Sequence, residues 1–227
     1  MSSERKQPTK KKRTVFVIDD HPIVREGLAR LINGEPDLFV CGAAEDIYSA
    51  LKSMELLKPE IAIADISLKG PDGIELIKHL KTRLPGLPVL VLSIHDESIY
   101  APRALRAGAR GYIMKQEATE NVLVAVRRVL SGEVYLSDRM ANKMLQQFVG
   151  TGGGGLNFPV DRLSDRELEV FRLIGQGHGT RRIAEELHLS VKTVESYREH
   201  IKEKMTLGDA SELVRYAIQW MEQEKSQ

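Results

Sequence analysis

Five short apolar runs mark the first half of the chain: TVFVI (14–18), LFVCG (38–42), EIAIA (60–64), PVLVL (88–92) and GYIM (111–114). Between them, near 22–33, 46–57, 73–84, 97–107 and 118–131, apolar residues recur at helical spacing, as at Ile74, Ile77 and Leu80. The runs are continuous rather than alternating, which predicts strands buried on both faces, as in a parallel sheet covered by helices. Five strand–helix units across 14–131 therefore predict an α/β, doubly wound, five-stranded parallel sheet.

The pattern then changes. Residues 137–149 (SDRMANKMLQQFV) predict one further helix, and GTGGGG after it has the glycine density of a flexible hinge. From Leu163 onward no strand-like run occurs. Helices are expected near 165–175, 180–187, 191–205 and 210–223, with Ser164, Thr180 and Ser190 as N-caps. The expected organisation is a disordered basic tail (1–13), an α/β domain (14–131), a linker with a helix and a Gly-rich hinge (132–162), and an all-α four-helix domain (163–227).

Charge refines this division. The net charge of +1 hides a tail with six basic side chains against Glu4, whereas 14–159 carries 16 basic against 18 acidic and 160–227 carries 11 against 13. A tail with so little apolar content cannot bury a core; it reads as a solvated arm or as a weak nucleic-acid contact. Cys41 is the one cysteine and reads as a small core residue in LFVCG, so no disulfide framework is possible. With no apolar stretch near 18 residues and no signal-peptide pattern, a soluble, cytoplasmic protein without membrane contact is expected.

Polar groups follow the apolar runs at meaningful places. The first run ends in Asp19-Asp20, the third in Asp65, the fourth in Ser93 and the fifth in Lys115. Ligands of doubly wound sheets sit at the carboxyl ends of the strands, so these five side chains should converge on one edge. Singly, an Asp-Asp pair is commonly a helix cap, and a lone aspartate or lysine after a strand is turn or surface chemistry. Together they form a reactive set. Three close carboxylates repel unless a cation lies among them. Mg2+ suits such oxygen donors and keeps open positions for phosphate oxygens. A carboxylate beside the metal can act as a nucleophile on phosphorus, with lysine and serine holding the phosphoryl oxygens.

Residues 14–131 resemble the receiver domain of bacterial two-component response regulators, through VFVIDDHPIVREGL, AIADISLKGPDGIELI, VLVLSIHDE and ALRAGARGYIMK. The resemblance implies metal binding by Asp19 and Asp20, phosphoacceptance by Asp65, and a metal contact from the Ser67 backbone carbonyl. It further implies a switch hydroxyl at Ser93, a phosphate-binding Lys115 and a switch aromatic at Tyr112, which could instead be a plain core aromatic. Two departures stand out: SLKGPDG places the proline at Pro71, and Gln116 follows the lysine where proline is common.

LSDRELEVFRLIGQGHGTRRIAEELHLSVKTVESYREHIKEKM has the pattern of a helix-turn-helix. Ile183, Ala184 and Leu187 share one face of the first helix. Val194, Tyr197, Ile201 and Met205 form the apolar stripe of the second, leaving Lys192, Thr193, Glu195, Ser196, Glu199 and Lys202 outward as candidate DNA contacts. With this domain at −2, electrostatics alone leave a DNA reader and a protein-interaction bundle open. The stretch resembles the LuxR-type output domain, and with the receiver it resembles the NarL/FixJ class. That implies a phosphoryl-accepting transcription regulator, not an enzyme, with a sensor histidine kinase and double-stranded promoter DNA as partners and a homodimer as its phosphorylated form. A phosphorylation-independent regulator and, more distantly, a Mg2+-dependent phosphohydrolase are the competing readings; Ser67 stands where the latter would need a second acid.

Overall fold

The computed structural model describes residues 11–68, 73–150 and 159–225. The chain divides between Gln146 and Gln147 into two compact units.

In the first unit, β1 (Arg13–Ile18), β2 (Leu38–Ala44), β3 (Ile61–Ala64), β4 (Val89–Ser93) and β5 (Gly111–Met114) form one sheet, all parallel, in the order β2-β1-β3-β4-β5. The helices are α1 (Pro22–Asn33), α2 (Ile47–Leu57), α3 (Gly73–Arg83), α4 (Glu97–Ala107) and α5 (Ala118–Leu130), followed by α6 (Asp138–Gly150), within which the division falls. Strand side chains alternate between faces. Val15, Val17, Ile61, Ile63, Leu90 and Leu92 pack with Leu28 and Ile32 of α1 and Val122, Val126 and Val129 of α5. Phe16 lies on the other face, where Leu57 of α2 also closes on Gly42. Both faces are thus covered, as the continuous apolar runs required. Full burial of each such side chain stabilises the fold by about 1.5–3 kcal/mol.

Strand order follows from connection handedness. Right-handed crossovers place α1 and α5 on one face. Because the order reverses beside β1, the loops after β1 and β3 open towards each other at the carboxyl edge. That opening positions the site.

Three expectations need correction here. Arg13 belongs to β1 rather than to the tail: its N–H donates to Asp37 O at 2.8 Å and its guanidinium pairs with Glu60. Cys41 is half-buried rather than a core residue, because the β1–β2 register slips after Val15 and leaves it in a bulge. The same slip brings Gly42 onto Phe16, where a Cβ would lie 2.7 Å from the ring. The receiver's hydrogen-bonded chain also continues past residue 131, since Tyr135 forms a parallel bridge with Gly111. The Gly-rich hinge and residues 1–10 lie outside the described residues.

Among its described residues the second unit holds a short 3-10 turn (Pro159–Arg162) and the helices α7 (Asp165–Gly175), α8 (Thr180–Glu186), α9 (Val191–Met205) and α10 (Ala210–Lys225). Ser164 and Glu167 form a reciprocal capping box at the start of α7. Buried Glu167 also receives Lys204 Nζ of α9 at 2.6 Å, an ion pair that locks α9 to α7. Burial works to raise the Glu167 carboxyl, but Lys204 and Ser164 outweigh it and hold it below its ordinary value. Phe171 packs against Trp220 of α10 at 5.6 Å between ring centroids, which makes that tryptophan a packing residue. Thr180 is not a cap: Gly179 is the N-cap of α8, without a side-chain bond, and Thr180 is its first helical residue.

Candidate functional site

Each acidic group sits where its strand leaves the core. Asp19 follows β1, its N–H donates to Ala44 O at 3.1 Å, and the residue is 1% exposed. Asp65 follows β3, its N–H donates to Ile18 O at 2.8 Å, and it too is 1% exposed. The sheet ladder thus carries both acids one residue past its end, side by side. Asp20 stands beside them, and ligand atoms of Asp19, Asp20, His21 and Asp65 lie within 4.8 Å of one another.

Lys115, immediately after β5, reaches across the edge. Its Nζ lies 2.7 Å from Asp19 Oδ2 and 2.7 Å from Asp65 Oδ2. Burial pulls the Lys115 ammonium down, but its bonds to the two carboxylates prevail and hold it above its ordinary value. Asp65 Oδ1 accepts from Ser67 N at 2.8 Å, and Asp19 Oδ1 from His21 N at 2.8 Å. His21 Nδ1 also lies 2.7 Å from Asp20 Oδ1.

Three carboxylates facing one ammonium leave a formal charge of −2 when His21 is neutral. Asp19 Oδ2 and Asp20 Oδ1 are buried and accept no hydrogen bond of good geometry, ion pairs aside. The three carboxylates are compatible with a divalent cation, and their oxygens are donors of the kind that hard cations take. Among the described residues this is the only such cluster.

The switch candidates adjoin it. Ser93, the last residue of β4, is fully buried, and its Oγ accepts from His95 N at 3.1 Å. Tyr112 is fully buried with its hydroxyl donating to His95 O at 2.9 Å; burial pushes the phenol well up, against a bond to Ser93 that works the other way. Sequence reasoning missed His95, which meets both groups. It also passed over His21 in the acid cluster, although the contiguous DDH offered that signal.

In the second unit the α8–α9 turn has a left-handed His188, Leu189 N donating to Ala184 O at 2.8 Å, and Ser190 capping α9 through Thr193 N at 3.0 Å. Val194, Ile201 and Met205 are buried and Tyr197 half-buried, as the stripe requires. Lys192, Glu195, Ser196 and Glu199 are exposed. Thr193 is half-buried, its hydroxyl 2.7 Å from Ser190 Oγ. Lys202 departs from the outward set: its side chain is 19% exposed and pairs with Glu199 at 2.8 Å. Arg181 and Arg182, exposed in the first turn of α8, add cationic surface that was not singled out.

Comparisons with known proteins agree with this architecture. The response regulator receiver domain family matches residues 15–127, and the luxR family of bacterial regulatory proteins matches 161–217. The oxygen regulatory protein NreC of Staphylococcus carnosus (strain TM300) is 35% identical over 208 residues, covering 90% of this chain and 96% of that protein. The chain belongs to the response regulators. NreC of Staphylococcus haemolyticus (strain JCSC1435) is 36% identical with the same coverage. The Salmonella typhimurium RcsB response regulator shares the fold of this response regulator at 28% identity and a TM-score of 0.57, over 91% of this chain and 98% of RcsB. An RcsB–DNA complex matches at 26% identity and a TM-score of 0.56 over the same shares. The response regulator is therefore a DNA-binding transcription regulator of the NarL/FixJ class, and the phosphohydrolase reading falls. Among its described residues no helix is long and apolar enough to cross a membrane.

Proposed function

We propose that Asp65 accepts a phosphoryl group from a sensor histidine kinase in the cytoplasm, and that the modified protein binds promoter DNA as a homodimer through α9. The observation that carries this reading is the Asp65 carboxylate itself, buried, held by Ser67 N and Lys115 Nζ, and faced by Asp19 and Asp20. Asp19, Asp20, Asp65 and the Ser67 carbonyl would hold Mg2+. When bound, that ion neutralises the carboxylates and the transferring phosphoryl oxygens.

Asp65 is oriented for attack because both of its oxygens are fixed before the donor arrives. A carboxylate oxygen forms the new P–O bond as the donor's P–N bond breaks, and the leaving imidazole nitrogen keeps the electron pair. Lys115 then shifts from carboxylate to phosphoryl oxygen, and Ser93 donates its hydroxyl to another. The phosphoryl group carries roughly −1.5 to −2 charges but replaces the carboxylate's −1, so the site gains about one negative charge or less, placed on oxygens farther out. That is enough to bias a two-state receiver.

At the output domain, α9 enters the major groove, with Lys192, Thr193, Glu195, Ser196 and Glu199 as contacts, while Lys202, paired with Glu199, stands outside that set. The RcsB–DNA complexes of a fold neighbour support this reading. Lys192 and Thr193 at the helix start suit the backbone phosphates. Glu199 suits cytosine N4, once released from Lys202. The net −2 of residues 160–227 makes non-specific binding weak, so affinity depends on pairing two half-sites.

Treatment with a small phosphodonor and Mg2+, followed by mass spectrometry, tests the assignment. One acid-labile phosphate on Asp65 is expected, absent in Asp65→Asn and in Asp20→Asn. Phosphate on Ser67 or Ser93, or undiminished labelling in EDTA, refutes it.

A further inference from the structure

The switch corner is joined to the start of α6 by bonds that no part of the phosphoacceptor chemistry uses. His95 is their hub: its N–H donates to Ser93 Oγ, its carbonyl accepts from Tyr112, and its ring stacks on Tyr100 of α4 at 4.5 Å between centroids. The next two residues open α4, with Asp96 as N-cap and Glu97 as the first helical residue. Glu97 does not face solvent alone. Its Oε1 accepts from Ser137 N at 2.9 Å and its Oε2 from the Ser137 hydroxyl. Ser137 Oγ in turn accepts from Met140 N at 3.1 Å, in the first turn of α6.

Just before this, Tyr135 lies along β5. Tyr112 N donates to Tyr135 O at 2.9 Å, and Tyr135 N to Arg110 O at 3.0 Å. The approach is so close that a Cβ on Gly111 would sit 2.9 Å from Tyr135 O. The segment leaving the receiver is therefore fastened twice, once to the strand that carries Tyr112 and once to the helix that follows Ser93. A carboxylate that accepts two bonds is a strong fastener, since charge-assisted bonds are about twice as strong as neutral ones. Pro102 removes a backbone donor inside α4, so the first turn of that helix is less stiffly tied to its last.

We propose that Glu97 and Ser137 are positioning residues that carry the phosphorylation signal out of the receiver, making the first turn of α4 and the start of α6 move as one body. This rests on the reading of Asp65 as phosphoacceptor and α9 as DNA reader. Redirecting the Ser93 hydroxyl towards a phosphoryl group on Asp65 disturbs its bond with His95 N. Residues 94–96 and Glu97 follow, and Ser137 follows Glu97. The coupling exists only as far as the Glu97–Ser137 bonds differ in strength between the two receiver states.

The test uses the full-length protein with Glu97→Ala, Glu97→Gln and Ser137→Ala. Two quantities are read: the rate of Asp65 phosphorylation by a small phosphodonor with Mg2+, and the ratio of affinities for a wild-type-selected promoter fragment with and without that donor. For a wild-type ratio of tenfold or more, Glu97→Ala should phosphorylate within about twofold of wild type yet lose at least fivefold of the ratio. Glu97→Gln, whose carbonyl oxygen still accepts one bond, and Ser137→Ala, which keeps the backbone bond, should fall between. That graded series separates coupling from general damage, as does faster hydrogen exchange confined to residues 137–146 in Glu97→Ala. A wild-type ratio retained by both Glu97→Ala and Ser137→Ala overturns this proposal alone, and so does a ratio lost only in step with phosphorylation. A wild-type protein that shows no phosphorylation dependence overturns it together with the function on which it rests.

Discussion

Removing Lys115 probes the site's charge balance directly. Lys115→Ala takes away the one ammonium 2.7 Å from both Asp19 and Asp65, each of which is 1% exposed. The two carboxylates keep their hydrogen bonds from His21 N and Ser67 N but lose their common counter-ion. Deleting one member of a buried ion pair costs about 3–5 kcal/mol, because the other charge stays buried and unpaired. The Lys115 side chain is 14% exposed, so water can enter the space it leaves, which puts the expected loss near 3 kcal/mol. A divalent cation at the same acids relieves the same repulsion. At a hundredfold excess over Kd, binding to the folded state alone contributes about 2.7 kcal/mol. Mg2+ should therefore stabilise Lys115→Ala more than it stabilises wild type. Because the folded protein holds the Lys115 ammonium above its ordinary value, this contribution is fully present below about pH 10.4. It is lost as pH rises through the folded value, and the variant should lack that alkaline loss. Urea unfolding followed by far-ultraviolet circular dichroism, in EDTA and in Mg2+, reads both units, and the transition that Trp220 fluorescence does not report is the receiver's. Fluorescence of Trp220, the single tryptophan, reads the output unit, whose midpoint should not move. Equal receiver midpoints for variant and wild type in EDTA, or an equal Mg2+ response, would show that Lys115 does not balance these acids.

Three further outcomes follow from the second unit. Glu167→Gln should destabilise it by about 1–3 kcal/mol at neutral pH by weakening the bonds to Ser164 and Lys204, read as an earlier urea midpoint of Trp220 fluorescence. Since the folded state holds the Glu167 carboxyl low, its contribution is present above about pH 4.3 and lost as pH falls, so wild type and variant should converge in acid. Gly175→Ala should also destabilise, by about 1–3 kcal/mol, because its Cβ would lie 2.6 Å from Ala217 O and 2.7 Å from Met221 Cγ; a rise in the Trp220 midpoint, as helix propensity alone predicts, contradicts that packing. Lys192→Ala should weaken binding to all promoter fragments alike and flatten the log–log salt dependence by about one unit, whereas a sequence-selective loss would move Lys192 from phosphate to base.

The doubly wound fold was legible because both of its requirements are local. Continuous apolar runs mark strands covered on both faces, and Gly, Pro and capping residues bound the helices between them. The meeting of the candidate site residues was legible for the same reason: a parallel strand delivers whatever follows it to one edge, so Asp19, Asp65, Ser93 and Lys115 could be placed by their position at or after the end of a run. Strand pattern does not encode register. Cys41 read as core because nothing in LFVCG announces the slip that leaves it in a bulge; the tight meeting of Phe16, Leu57 and Gly42 accompanies that slip. Thr180 read as a cap because it is the better capping side chain, but the chain enters α8 one residue earlier. Lys202 counted as outward by helical periodicity, which cannot see Glu199 drawing it against the helix. Likewise, Glu97 and Ser137 are 40 residues apart in sequence. Neither carries a local signal, since a glutamate opening one helix and a serine capping another each satisfy local rules alone. Their meeting depends on where β5 and α4 stand in the folded sheet, and that is settled by packing summed over the whole unit rather than by any segment of it.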